Sequence, residues 1–290
     1  MRSYLAIWGR LATVVLIFTM GLATAAAASP SVHALTEETF FFRAKDGTIL
    51  TLLMLQLVAA RDGAGHVAGG GDPAYVGAAS IEETGRRGED LPRTSAHTVP
   101  LEAVVGSAKE GKATFFGRVY LQSGRNYSVR YIVKGGAREE IFLKNALVDV
   151  PYLNGGFSAS SVVPAEQFGP ANPSAGPFQV GSEEVVPKAG GVFKRSELLR
   201  LYLQVYDAAV DSVTSQRRVD VVFRFYRLNK GSSKRYGKPF SVRAAAGPSM
   251  GLALPIGDWP TGSYRVVVEL HDRVAAEHTS SEGSFSIVDE

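Results

Sequence analysis

Cysteine is absent from all 290 residues. No disulfide can staple the chain, so its domains must stand on their own cores. No thiol is available near the N-terminus to carry a lipid anchor, which excludes a lipoprotein-type signal. Charge of one sign is lacking too. The formal net charge is +3, and two of the cations, Arg2 and Arg10, lie in a segment expected to be removed. The 31 Lys and Arg less those two leave 29, against 28 Asp and Glu. A chain so balanced presents no electrostatic case for nucleic acid or for an anionic membrane surface. The two strongest apolar runs, 11–23 and 49–58, both fall short of the roughly twenty residues that cross a bilayer. Tryptophan is scarce, with only Trp8 and Trp259, which leaves little for the flat aromatic platform of a carbohydrate module.

The N-terminus reads as an address. Residues 1–28 open with Met1-Arg2, carry Arg10, run apolar through 11–23 and end in Ala25-Ala26-Ala27-Ala28-Ser29-Pro30. A positive start, a short apolar stretch and a small-residue site predict a secretory signal peptide cleaved after Ala28, with Ala34 as second choice. The expected mature protein is soluble, periplasmic or secreted, with no membrane span. An apolar content of 45% suits globular domains, and the length suits two of them.

Beyond the signal, the apolar segments are short, rich in Val, Phe, Tyr and Leu, and bounded by Gly, Pro, Asn or Asp, which is the spacing of strands. The stretches 39–45 and 48–58 flank Asp46-Gly47 as a hairpin, because Asp-Gly supplies positive φ angles. For 49–58 a helix stays open, since the apolar run has no clear period. Further strands are expected at 75–83, 113–121, 127–134 and 139–149. In 199–206 and 219–226 apolar residues fall on the odd positions, the period-2 mark of one buried face. Strands at 264–270 and 284–288 complete the set. Residues 154–177, dominated by Gly, Pro, Ser, Asn and Ala, read as a linker or extended crossing segment.

One internal echo stands out. Ser123-Gly124-Arg125-Asn126-Tyr127 and Thr261-Gly262-Ser263-Tyr264 each place a Gly turn and a Tyr before an alternating strand, with one closing strand to follow. In immunoglobulin-like sandwiches a Tyr near the start of the penultimate strand hydrogen-bonds back to the backbone and fixes the corner. The expected fold is therefore all-β, with two tandem immunoglobulin-like β-sandwich domains at 35–153 and 178–290.

The strings Phe178-Gln179-Val180-Gly181, Val185-Val186-Pro187, Gly191-Val192-Phe193 and 198–206 follow one another in a familiar order, closed by Pro260-Thr261-Gly262-Ser263-Tyr264-Arg265-Val266. Across about 140–290, including 155–160, the chain resembles the C-terminal β-sandwich region of exported bacterial von Willebrand factor A-related and GWxTD-domain proteins. The resemblance implies a sandwich module and carries no chemistry. An A domain binds a metal through D-x-S-x-S. The nearest string here, Asp211-Ser212-Val213-Thr214-Ser215, has Val at the middle ligand position, so the chain looks like the sandwich part without the A domain.

Catalytic motifs are hinted at and fail. Gly247-Pro248-Ser249-Met250-Gly251 matches the nucleophile elbow, but Pro255 and Pro260 exclude the long helix that must follow. Gly63-Ala64-Gly65-His66-Val67-Ala68 matches a dinucleotide fingerprint, but Gly69-Gly70-Gly71-Asp72-Pro73 stands where the phosphate-binding helix should begin. His33, His66 and His97 are scattered. His271 and His278 could face one another across a hairpin, but a metal needs a third or fourth ligand. Asn126-Tyr127-Ser128 is a formal glycosylation sequon in a chain whose signal looks bacterial. No catalytic residue, cofactor or metal site is expected.

One feature favours binding. With 219–226 and 264–270 as the neighbouring strands C and F, the outward residues are Asp220, Val222, Arg224 and Tyr226 with Arg265, Val267 and Glu269. Arg224, Tyr226, Arg265 and Glu269 become candidate partner contacts, since Tyr and Arg are enriched at interfaces. The plain alternative is a solvated face laced by cross-strand Arg–Glu pairs. The functional expectation is an exported, non-catalytic protein-interaction or structural module of the bacterial cell envelope, its partner an unknown envelope or extracellular protein. The alternative is a carbohydrate-binding accessory module or an exported hydrolase.

Overall fold

The structure is a computed structural model that describes residues 32–59, 76–84, 96–104, 112–134, 140–171, 178–245 and 248–290. Among the described residues the regular elements are all strands, apart from one 3-10 turn at Ala189–Gly191. The chain is all-β, as the short apolar segments require.

The first half holds β1 (Val32–Arg43), β2 (Ile49–Ala59), β3 (Val76–Glu83), β4 (His97–Val104), β5 (Lys112–Leu121), β6 (Asn126–Lys134) and β7 (Glu140–Asp149). They form one continuous sheet in the order β1-β2-β5-β4-β3-β6-β7, rather than two separate facing sheets. The fold-over comes at β4, whose residues 97–101 pair with β3 and whose Glu102–Val104 pair with β5. A strand that switches sheets makes a corner, and here it lets β2 and β5 face β3 and β6. Ile49, Leu53, Leu55 and Phe115 then meet Ile81, Val129, Tyr131 and Val133 in one core. The edges come together where Lys144 of β7 pairs with Glu37 of β1.

The β1–β2 hairpin forms as Asp46-Gly47 predicts, with Gly47 at φ 82°. Residues 49–58 are strand, not helix. Every side chain from Ile49 to Leu57 is buried, and a strand covered on both faces has no reason to alternate.

The second half holds β8 (Ser158–Ala159), β9 (Val163–Pro170), β10 (Gln179–Val180), β11 (Glu183–Pro187), β12 (Val192–Lys194), β13 (Leu198–Tyr206), β14 (Arg218–Asn229), β15 (Ser232–Ala245), β16 (Ser249–Pro255), β17 (Gly262–Asp272) and β18 (Glu277–Val288). One sheet runs β10-β11-β9-β13-β16, with β8 also on β13; the other runs β12-β18-β17-β14-β15. Their facing sides pack Leu199, Leu201, Leu203 and Leu252 against Val221, Phe223, Phe225, Tyr264, Val266 and Val268, so this half is a β-sandwich. Its pairings β13–β16, β14–β17 and β17–β18 repeat β2–β5, β3–β6 and β6–β7 of the first half. The two halves thus share three strand pairings, each set inside a different sheet arrangement.

Both predicted corner tyrosines bond to backbone. Tyr264 donates its hydroxyl proton to the Pro260 carbonyl at 2.6 Å, and the Tyr127 oxygen accepts the Gln122 N–H at 3.0 Å.

Residues 154–171, expected as linker, are built into the fold, and 172–177 lie outside the described residues. The segment supplies β8 and β9, and Val162, Val163 and Ala165 are buried. Phe41 N–H donates to the Ser161 hydroxyl and Ser161 N–H to the Phe41 carbonyl, which sews the segment to the free edge of β1. Its Pro and Gly content reads as linker because only a few apolar residues per turn are needed in so short a buried crossing. The halves also share a core, in which Phe40, Phe42, Leu50, Leu52, Met54 and Phe116 pack on Val163, Val180, Val185 and Tyr202.

Candidate functional site

The outer face of the five-stranded sheet is built by alternation. Val219, Val221, Phe223 and Phe225 turn into the core, so Asp220, Val222, Arg224 and Tyr226 turn out. On β17 the same rule turns Arg265, Val267 and Glu269 outward. β14 and β17 pair directly, with Tyr226 opposite Arg265 and Val222 opposite Glu269, so all four candidate residues share one surface.

They are not free of one another. Arg224 Nε donates to Glu269 at 2.8 Å, which holds the Glu269 carboxyl below the usual carboxylate range and raises the Arg224 guanidinium. The Arg265 guanidinium lies 5.2 Å from the centre of the Tyr226 ring and pairs with Glu282 at 3.6 Å. Arg273 pairs with Asp220 across the same sheet. The cross-strand Arg–Glu pairing of the plain alternative is therefore present. His271 and His278 are opposite each other on β17 and β18, their rings 6.4 Å apart and stacked. Among the described residues no group of three or more His, Cys, Asp or Glu gathers as a metal site.

Other sequence candidates take structural positions. Asp211 accepts the N–H groups of Val213 and Thr214 at 2.9 and 3.0 Å and so caps a turn. Trp259 packs among Phe225, Tyr236, Tyr264 and Phe285 and presents no open platform. The glycine string at 63–68 lies outside the described residues, as does Gly247. No described helix is long and apolar enough to cross a membrane.

Sequence reasoning missed a second polar surface, at the mouth of the seam between the halves. Ser249 Oγ donates to Glu183 at 2.7 Å and Tyr202 donates to the same carboxylate. Gln204 Nε2 donates to the Tyr202 oxygen at 2.9 Å and accepts at its own Oε1 from Tyr206 at 3.0 Å. The Tyr206 oxygen takes the Arg43 N–H at 3.0 Å, and the Arg43 side chain pairs with Asp207 at 2.8 Å. Burial pushes the Tyr206 hydroxyl up to about 12, so these tyrosines act as neutral donors. The chain of bonds runs beside a groove of about 510 Å³ lined by Lys45, Arg118, Tyr120, Gln179 and Gln204. The signal was the even-position Tyr202, Gln204 and Tyr206 on β13, a polar stripe on a strand whose other face is aliphatic. No protein-family model matches the chain, and no curated protein matches it.

Proposed function

We propose that this is an exported, non-catalytic interaction module of the bacterial cell envelope, meeting a protein partner through the outer face of β14 and β17. The observation that carries the reading is the held ladder of Arg224 on Glu269 and Arg265 over Tyr226. Long side chains usually lose rotamer freedom when a partner binds; here the loss is already taken in the free protein. Arg and Tyr in a fixed array are the residue types on which interfaces concentrate their energy. The N-terminal address and the resemblance of 140–290 to the sandwich region of von Willebrand factor A-related and GWxTD-domain proteins support an envelope setting.

The test is comparative capture. Tagged 29–290 and its Arg224→Ser/Tyr226→Ser variant are incubated with envelope extract of the source organism, and retained proteins are quantified against tag alone. The expected outcome is one stoichiometric partner whose recovery falls by about ten-fold or more with the variant, while the thermal midpoint stays put. Equal recovery by both baits removes this face from the binding surface.

A further inference from the structure

Charge is segregated in the second half. Between Asp220 and Asp258 the sequence has no acidic residue and seven cations, Arg224, Arg227, Lys230, Lys234, Arg235, Lys238 and Arg243. Past residue 28 the remainder keeps 22 Lys and Arg against 28 Asp and Glu. The near-neutral total therefore conceals a basic segment on an acidic body, and the argument from net charge against an anionic surface does not hold for this segment.

The fold gathers these cations into one ribbon, β14 and β15 joined at Lys230-Gly231. Arg224 is taken by Glu269, and Arg227 donates to the Thr261 carbonyl at 2.8 Å. Lys230, Lys234 and Lys238 are exposed and form no ion pair with a described residue. β15 ends its sheet, with β14 on one side and no described strand on the other. Lysines on a free edge are the ordinary guard against strand-to-strand association. That guard does not account for Phe240, which stands opposite Phe223 with the ring centres 6.4 Å apart and is still 41% exposed beside Lys238.

We propose that this ribbon is a membrane-contact edge, laying Lys230, Lys234 and Lys238 against anionic lipid headgroups while Phe240 reaches the acyl boundary. A headgroup layer takes phosphate-to-lysine contacts and apolar side chains together. A peptide strand added to β15 would need an unbroken row of donors and acceptors. Phe223 pairs with Phe240 and Phe225 with Tyr236, so residues 237–239 bulge opposite Arg224, and Pro239 has no N–H to give. The edge is distinct from the ladder face, so the inference goes beyond the proposed protein partner and stands without it.

Residues 29–290, which keep every described strand, are sedimented with vesicles of phosphatidylcholine alone and of phosphatidylcholine with phosphatidylglycerol. The expected result is binding to the anionic vesicles only, weakening as salt rises. Each cation near such a surface is worth about five-fold in partition, so K230Q/K234Q/K238Q should bind roughly 100-fold more weakly. The charge-matched control R130Q/K134Q/K194Q, on exposed positions elsewhere, should bind like the parent, and F240S should lose affinity at unchanged charge. Equal loss in both triple variants overturns the proposal, because net charge alone is then acting. Equal binding to both vesicle types, or none to either, overturns it as well. Retention on immobilised polyglutamate without vesicle binding assigns the lysines to an acidic peptide instead. Circular dichroism checks that each variant is folded.

Discussion

The two halves share three strand pairings and part company at one strand. In the first half the strand after β3 is β4, which leaves its neighbour midway and crosses to β5. In the second half the strand after β14 is β15, which stays with β14 for its whole length and becomes a free edge. The local chemistry differs accordingly. At the β4 corner Leu101 is buried beneath two glycines: a Cβ on Gly117 would stand 2.4 Å from the Leu101 side chain, and one on Gly77 3.0 Å from it. β15 instead carries lysines and Pro239. One pairing scheme thus yields a closed corner when the turning strand has an apolar anchor, and an open charged edge when it does not.

The sharpest way to break this comparison is to remove the anchor. Leu101→Ala leaves a cavity among Phe115, Leu53 and the two glycines, and should cost about 3 kcal/mol in urea denaturation. Phe240→Ala on the open edge should cost under about 1 kcal/mol. Equal costs would mean that the corner is not held by Leu101.

The second effect lies where the halves meet. Glu38 of β1 is mostly buried against the turn at Ala189–Gly191; it accepts the Gly190 N–H, and its Oε2 has no hydrogen-bond partner. Burial pushes its carboxyl up to about 7 from an ordinary 4.5. The folded state then holds the proton more tightly than the unfolded chain, so this group's contribution is intact below about pH 4.5 and is lost as pH rises to about 7. Glu38→Gln lacks that slope. It should match the parent near pH 4 and exceed it by about 2 kcal/mol above pH 7. A constant difference across pH would show that Glu38 does not titrate in this range.

The strands most legible in the sequence were those with one wet face. The stretches 127–134 and 219–226 alternate because one side packs and the other does not, and β6 and β14 lie there. The stretch 199–206, in β13, alternates although Tyr202 and Tyr206 on its second face are buried, because that face packs aromatic rings with polar ends where the first packs aliphatic chains. β2 was readable as a strand only through its Asp-Gly turn, with a helix left open, because both its faces are buried; β15 went unread because both of its are largely exposed, so neither has a period to read. β9 hid behind Pro164 and Gly169, residues that a short strand at the seam tolerates. The outward set on β14 and β17 could be read because it needs only alternation and the choice of neighbouring strands. The pairing of Arg224 with Glu269 was open as an alternative, and its diagonal register needs coordinates. The groove by Tyr120 joins residues from β1, β5, β10 and β13, and no local pattern announces such a meeting. The basic segment was visible residue by residue, but a sum over the whole chain erased it.

The smallest expected effect compares the two corner tyrosines, where the halves are most alike. Tyr264 is wholly buried and its hydroxyl donates to a carbonyl; Tyr127 is slightly more open and its oxygen accepts an N–H. Tyr264→Phe strands the Pro260 carbonyl beside a packed cluster of Trp259, Tyr236 and Phe285, where water cannot readily replace the lost donor. A loss of about 1 to 1.5 kcal/mol follows. Tyr127→Phe strands the Gln122 N–H, but Gln122 is exposed and water can take the bond, so the loss should be nearer about 0.5 kcal/mol. Urea midpoints with unchanged slopes would measure both. The reverse order would mean that the first corner bears more of the fold than its burial suggests, and that the folded-over sheet leans on Tyr127 in a way the sandwich does not lean on Tyr264.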